Sequence, residues 1–347
     1  MKIKTILYCG HLSRYGVANL LPLLESSLFD VQEIVFGDNK RWRIFKGALE
    51  GCDYTKNKQF DKVFKNKTKI VTELISKISQ GSVRFTHDVN SEEEIKVVMS
   101  YDLIISVAYP QIFSRNLISA PKKGAINFHP SYLPRCRGAH PVYWTIASKE
   151  AYGGISCHYM TEKLDNGPIL ARRKIDFDQN NITYRELYNL IEKQSPCLVK
   201  DVERFFIEGA VPVEQEAEYT YFRNDRQIHR KVYFQRESIF QISAKIRAGN
   251  AFAYNNKGLK IIFSQEVSIS KALKSVTNKY EGNLPNGCVV EFDEHTVTFV
   301  QDEEFIKTGY RVDYSEFSVY KMVVKIKKLI NIKSFRFNAL SIGEILS

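Results

Sequence analysis

Over its first two hundred residues the chain alternates between two hydrophobic patterns. Short apolar runs of strand length are separated by stretches whose apolar positions recur every three or four residues. Residues 2–9 read as a buried first strand, followed over 14–26 by a helix with Leu20, Leu23 and Leu24 on one face. Further strands are expected at 33–37, 82–86, 101–109, 124–129, 153–160 and 168–177, and further helices at 69–79, 91–100, 112–118, 137–148 and 183–208. Local chemistry sharpens several of these bounds. Ser91 with Glu94 forms a capping-box pattern. Pro121 stops one helix, Pro141 falls in the first turn of another, and Pro196 predicts a bend in the last. Strands alternating with helices predict an α/β layer fold around a largely parallel central sheet.

After Gly209 the pattern changes. Residues 210–230 are polar, aromatic and irregular, and 239–248 read as a helix. The runs GLKIIFS, GCVVEFD and HTVTFV follow, separated by turns rich in Gly, Asn and Pro. Their spacing predicts a small antiparallel barrel or sheet. The expected organisation is an α/β domain over 1–208 and a smaller β-rich, barrel-like domain over 209–347. No internal repeat is present.

Composition changes this picture little. A chain of 347 residues fits two domains at about 100–200 residues each, and 44% hydrophobic residues exclude a disordered or fibrous protein. The six cysteines, at 9, 52, 136, 157, 197 and 288, show no CxxC spacing and read as reduced thiols of a cytoplasmic protein. The N-terminal apolar run, TILYCG, is too short for a signal peptide, and no apolar run approaches the ~18 residues needed to span a bilayer. The net charge of +11 invites an anionic partner. Residues 1–180 hold 26 basic and 18 acidic residues, a net of +8, and residues 181–347 hold 24 and 21, a net of +3. Lysines cluster at 40–46, 56–69 and 321–336 without the dense arginines or regularly spaced aromatics of a nucleic-acid face.

The first strand-to-helix turn, CGHLSRYG, lacks GxGxxG, and no GxxxxGK[ST] occurs, so dinucleotide and P-loop readings are disfavoured. Candidate chemistry lies in GAINFHPSYLPRCRGAHPVYW and GGISCHYMTEKLDNGPIL. Asn127 and His129 alternate along a strand and so face the same side, and Asp165 sits in the turn LDNG. A histidine to take a proton, a carboxylate to orient it and an amide to hold an oxyanion can support acyl transfer. His11, His140 and His158 read as scattered, so no metal site is expected.

The pattern N-x-H-P-S-x-L-P-x-x-R-G-A-x-P, followed about two dozen residues later by L-D-x-G-P-I-L, resembles the folate-dependent formyltransferases. The similarity covers roughly residues 1–205. It implies a Rossmann-like catalytic domain, 10-formyltetrahydrofolate as formyl donor, and Asn127, His129 and Asp165 as the catalytic set. Asn166 stands where the family usually has threonine. The resemblance also implies a folate pocket walled by His87, Asp88, Val89, Asn90, Tyr109 and Leu164. An amine would attack the formyl carbon, His129 would take its proton, and Asn127 with protonated His129 would hold the oxyanion. For the amine, P-V-Y-W at 141–144 resembles the nucleotide-sugar N-formyltransferases, with Trp144 where the methionyl-tRNA enzymes usually have arginine. The implied partner is a nucleotide-linked amino sugar, with Arg137, Tyr221, Phe222 and Arg223 as candidate contacts to it. Methionyl-tRNA is the alternative substrate. A non-catalytic folate-binding protein of the same fold is disfavoured, because all three catalytic residue types are present. Val323, Val324, Ile326, Leu329 and Ile330 offer apolar surface among lysines, either for a homodimer or to close the small domain.

Overall fold

Five parallel strands form the body of the first sheet: β1 (Ile3–Cys9), β2 (Phe29–Gly37), β3 (Ser82–Thr86), β4 (Leu103–Val107) and β5 (Ala125–His129). Two antiparallel strands, β7 (Gly153–Tyr159) and β8 (Ile169–Ile175), extend it to the order β3-β2-β1-β4-β5-β7-β8. The computed structural model describes residues 2–10, 14–37, 82–223, 227–255, 258–270, 284–293, 295–313 and 345–346. The helix expected at 69–79, the three lysine clusters and the apolar residues of 323–330 lie outside the described residues.

The expected largely parallel α/β layer is present. β1 and β4 are buried along almost their whole length, as strands covered on both faces must be. Helix α1 (Arg14–Leu24) buries Leu20 and Leu23 completely. Helix α2 (Glu92–Val98) starts at Ser91, whose hydroxyl accepts from the Glu94 N–H at 3.2 Å. The Glu94 carboxylate does not complete the expected capping box. It turns inward instead, taking Nη1 and Nη2 of Arg84, each at 2.6 Å, and the Tyr8 hydroxyl. The tertiary partners win because a buried carboxylate is held best by a bidentate guanidinium. Helix α3 (Arg115–Ser119) begins at a Ser114 cap, three residues later than its apolar pattern predicts.

The helix expected over 137–148 is shorter than predicted. Arg137–Gly138 form a two-residue strand, β6, and helix α4 covers only Pro141–Ala147. Gly138 at φ +99 and His140 at φ +56 are left-handed, which no helical turn accepts, so the helix starts on Pro141 at its first position. Helix α5 (Tyr184–Glu208) closes the α/β part.

By packing, the chain divides into two units. The first holds Met1–Gly138, Gly153–Ile175 and Tyr188–Tyr221, and the second holds Ala139–Tyr152, Asp176–Leu187 and Phe222–Ser347. The second unit is built on an antiparallel sheet ordered β10 (Phe252–Tyr254), β11 (Lys260–Ser270), β14 (Glu304–Asp313), β13 (Thr296–Gln301), β12 (Val289–Phe292). Between β8 and β10 lie strand β9 (Tyr221–Phe222) and helices α6 (Gln227–Arg230) and α7 (Ile239–Ala248). A full capping box between Ser238 and Gln241 starts α7, which packs on β11 and on α4. Ile242, Ile246, Ile261, Phe299 and Ile306 form the core of this unit.

In the first unit the order of the parallel strands reverses between β1 and β4, where open α/β sheets bind ligands at the carboxyl ends of the strands. The backbones meet closely there: a Cβ on Gly10, just past β1, would lie 1.7 Å from the Ala108 carbonyl oxygen, just past β4. Glycine at position 10 is what lets the two turns approach. Among the described residues no helix is long and apolar enough to cross a membrane; of the five described cysteines, Cys197 is exposed and the others are buried.

Candidate active site

The site is built on one row of the sheet. Ser106 of β4 pairs with Asn127 of β5, and Asn127 pairs with His158 of β7. His129 follows Asn127 at the next position on that face, at the carboxyl end of β5. Asp165 comes from the turn between β7 and β8 and reaches back to β7 and β5.

The contacts converge on the Asp165 carboxylate. Its Oδ2 accepts the Gly138 N–H at 2.9 Å and stands 3.6 Å from Nδ1 of His129. Its Oδ1 accepts from Asn127 Nδ2 at 3.4 Å and lies 3.4 Å from Nε2 of His158. Nε2 of His129 is 3.0 Å from the Cys136 carbonyl, which only accepts, so that nitrogen carries the ring proton. Nδ1 of the neutral ring is then the free base, facing the carboxylate. By the same reasoning His158 donates Nδ1–H to the Tyr159 carbonyl at 2.7 Å and turns its Nε2 lone pair to the Asn127 amide at 3.3 Å.

Asp165 has φ +52, a left-handed conformation that costs a residue with a Cβ about 1–3 kcal/mol and persists only where the surroundings hold it. Gly167 allows the turn to close, since a Cβ there would lie 1.9 Å from the Tyr159 carbonyl oxygen.

Burial sets the electrostatics. It pushes His129 below its ordinary value, against the upward pull of Asp165 and of the Cys136 carbonyl. Burial raises Asp165, but His129, His158 and the Gly138 amide more than offset that and hold the carboxyl well below the usual carboxylate range. The resting site therefore holds a neutral imidazole beside an ionised carboxylate. Both shifts have the same consequence for stability. Unfolded His129 takes a proton near pH ~6.5 and the folded one does not, so stability falls as pH drops below that value. Asp165 contributes stability that is present above about pH 3.9 and lost as pH falls through its lower folded value. The urea midpoint is expected to drop between pH 7 and pH 5, and to drop less in His129→Gln. Equal slopes in the two proteins would contradict the assignment of His129.

Asn127, His158 and Asp165 line an open pocket together with Ser106, Tyr109 and Leu164. His129 stands behind Asp165, buried. The Tyr109 ring lies edge-on to Tyr8 and Phe113, and its buried hydroxyl has no hydrogen-bond partner among the described residues. Of the expected pocket residues, Tyr109 and Leu164 are on the wall. His87–Asn90 form a neighbouring turn tied to the wall through Gln111: the Val89 N–H donates to Gln111 Oε1 at 2.8 Å, and Gln111 Nε2 donates to the His87 carbonyl at 2.6 Å. Asn90 completes the tie, donating to the Ile112 carbonyl and accepting the Ser114 N–H. Val89 itself is a core residue.

Arg137 is 4% exposed and faces the Asp165 turn, donating to Gln215 and Asn166. Tyr221 and Arg223 are exposed, and Phe222 stacks on Trp144 with ring centres 4.4 Å apart. Two residues of the site were missed by sequence reasoning. His158 is not scattered: strand pairing brings it to Asn127 and Asp165. Its signal was parity, since Ser156 and His158 alternate on β7 as Asn127 and His129 do on β5. Gln215 lies in an irregular stretch and carries no such signal. Among the described residues no group of three His, Cys, Asp or Glu is arranged to hold a metal ion.

Residues 54–202 match the formyl transferase family. Ser106, Asn127, His129, His158 and Asp165 fall inside the matched region, and Gln215 lies beyond it. A methionyl-tRNA formyltransferase of Clostridioides difficile (strain 630) is 35% identical over 122 residues, which are 35% of this chain and 39% of that protein. The chain thus spans about two fifths of the length of that relative. Among solved structures, WlaRD, a sugar 3N-formyl transferase crystallised with dTDP and 5-N-formyl-THF, is similar at TM-score 0.57 and 17% identity. That likeness covers 89% of this chain and 98% of WlaRD. HypX from Aquifex aeolicus in complex with tetrahydrofolic acid is similar at TM-score 0.56 and 14% identity, covering 89% of this chain and 44% of HypX.

Proposed function

We propose that the protein is an N-formyltransferase that moves the formyl group of 10-formyltetrahydrofolate to the amine of a nucleotide-linked amino sugar. The observation that carries this reading is the meeting of Asn127, His158 and Asp165 at the wall of one pocket, with His129 directly behind Asp165. The wall fits a flat heteroaromatic ring with a polar edge: Tyr109, Ile112, Phe113 and Leu164 supply apolar faces. Ser106, Gln111 and the unpartnered Tyr109 hydroxyl supply polar atoms.

The donor, when bound, supplies an activated formyl carbon. The residues of the chain then divide the remaining work. His129 Nδ1, free and poised below its ordinary pKa, takes the proton of the attacking amine. The imidazolium so formed becomes a donor to Asp165 Oδ2, and its proton is returned to the departing nitrogen as the formyl carbon–nitrogen bond breaks and tetrahydrofolate leaves. The Asn127 amide, held by Nε2 of His158, gives up its 3.4 Å contact to Asp165 Oδ1 and donates that hydrogen to the oxyanion. Such a donor in a water-poor site is worth about 10²–10³ in rate.

For the acceptor, the P-V-Y-W sequence at 141–144 and the likeness to the WlaRD fold over 89% of the chain support a sugar nucleotide. A dTDP-linked 3- or 4-amino dideoxyhexose, serving bacterial surface polysaccharide, is the specific choice. The name of the Clostridioides difficile relative favours methionyl-tRNA as the second reading. The two are separated by incubating the protein with 10-formyltetrahydrofolate and a panel of dTDP-, UDP- and GDP-amino sugars, with methionyl-tRNA alongside. Formylated amino sugar is expected. Product on methionyl-tRNA alone, with tRNA affinity falling steeply as salt rises, would replace the sugar reading.

A further inference from the structure

We propose that Gln215 is a positioning residue that sets the reach of the Asp165 carboxylate to His129 by clamping the turn between β7 and β8. Nothing in the composition of the site marks it: it lies beyond the formyl transferase match and far from the catalytic residues in sequence. Its side-chain amide nevertheless uses its full capacity on this turn. Nε2 donates to the carbonyls of Asp165 at 3.0 Å and of Gly167 at 2.7 Å. Oε1 accepts from Arg137 Nε at 3.0 Å and Nη2 at 2.7 Å. The third guanidinium nitrogen, Nη1, donates to the Asn166 side chain. Two backbone carbonyls and one side chain of the triplet Asp165–Asn166–Gly167 are thus tied to a single Gln–Arg pair.

The clamp is itself anchored. Val213, two residues before Gln215, makes paired backbone hydrogen bonds with Ile169 of β8, at 2.7 and 2.8 Å. The Arg137 guanidinium lies over the Tyr219 ring at 4.4 Å, and the Arg137 N–H donates to the Thr220 carbonyl. The segment 213–220 therefore grips the turn from the edge of the sheet. A residue held at φ +52 needs such an external hold, because its own backbone does not prefer that conformation. Without the two donations to its carbonyls, the turn relaxes and the carboxylate leaves the 3.6 Å position beside Nδ1.

Two variants test this. Gln215→Ala removes the whole clamp. Gln215→Glu keeps an acceptor for Arg137 and removes the two donations to the carbonyls. Both are expected to lower kcat for formyl transfer about 10–100-fold, the usual penalty for a displacement of this size, with KM for donor and acceptor within about twofold. The second readout needs no substrate: an NMR titration of the His129 ring. His129 faces Asp165, the Cys136 carbonyl and, with ring centres 6.5 Å apart, His158; loss of the carboxylate lowers its pKa, because Asp165 is what raises it. The proposal rests on the formyl-transfer reading for its kinetic arm only, so a shifted His129 titration with no formyl product would sink that reading and keep the clamp. Wild-type kcat and wild-type titration in both variants would overturn the clamp. So would raised KM with an unchanged titration, which assigns Gln215 to substrate binding, or failure of both variants to fold, which assigns it to the edge of the sheet.

Discussion

Alanine at His129 is expected to lower kcat for formyl transfer by about 10²–10⁴-fold, the range in which a positioned base contributes. The size follows from the tautomer. Nε2–H is committed to the Cys136 carbonyl, so Nδ1 is the nitrogen that can take the proton of the amine, and it sits beside a carboxylate that stabilises the resulting charge. No neighbouring group replaces both functions. His158 has its own Nδ1–H on the Tyr159 carbonyl and its Nε2 on the Asn127 amide. His129→Ala also leaves the Cys136 carbonyl without that donor, a loss of about 1–3 kcal/mol in stability. Kinetics therefore need to be read beside a urea unfolding curve on the same preparation. A folded variant that turns over within tenfold of wild type would remove His129 from the reaction.

Asparagine at Asp165 is expected to cost about as much, near 10⁴-fold by comparison with other His–carboxylate pairs, and for a separable reason. Asn tolerates the left-handed backbone at φ +52, so the turn keeps its shape and only the charge is removed. The new amide NH₂ can turn to the lone pair of His129 Nδ1 or of His158 Nε2, but on either side it also faces a donor. On the Oδ2 side it meets the Gly138 N–H, and on the Oδ1 side it meets the Asn127 amide, both of them donors. The imidazolium of His129 loses its counter-charge, so the ring titrates lower still than in the wild type. Steady-state rates and the His129 titration measured on the same variant check both halves. A rate within tenfold of wild type, or a His129 titration that stays in place, would contradict the arrangement.

The fold was legible to a large degree because its signals are local. Period-two and period-3.6 apolar patterns produced the strands β1, β4, β5, β7 and β8 and helices α1, α5 and α7 nearly where expected. Elements shifted where the backbone has a special requirement. Left-handed residues at 138 and 140 cut α4 short and turned Arg137–Gly138 into a strand. Glu94 had the right spacing for a capping box, but spacing does not reveal that Arg84, on strand β3, takes the carboxylate first.

The site divides in the same way. By itself, the sequence determined the α/β layer and the β-rich end, and it singled out Asn127, His129 and Asp165 as candidates through their motif, because motif and periodicity are properties of adjacent residues. The tertiary structure alone decided that His158 faces Asn127, that Asp165 is held in a left-handed turn, and that Gln215 reaches that turn from beyond the motif. It also placed residues 139–152 and 176–187 in the packing unit of the C-terminal sheet. Those outcomes depend on strand register and on hydrogen bonds between residues tens of positions apart, and no local pattern encodes a partner at that distance.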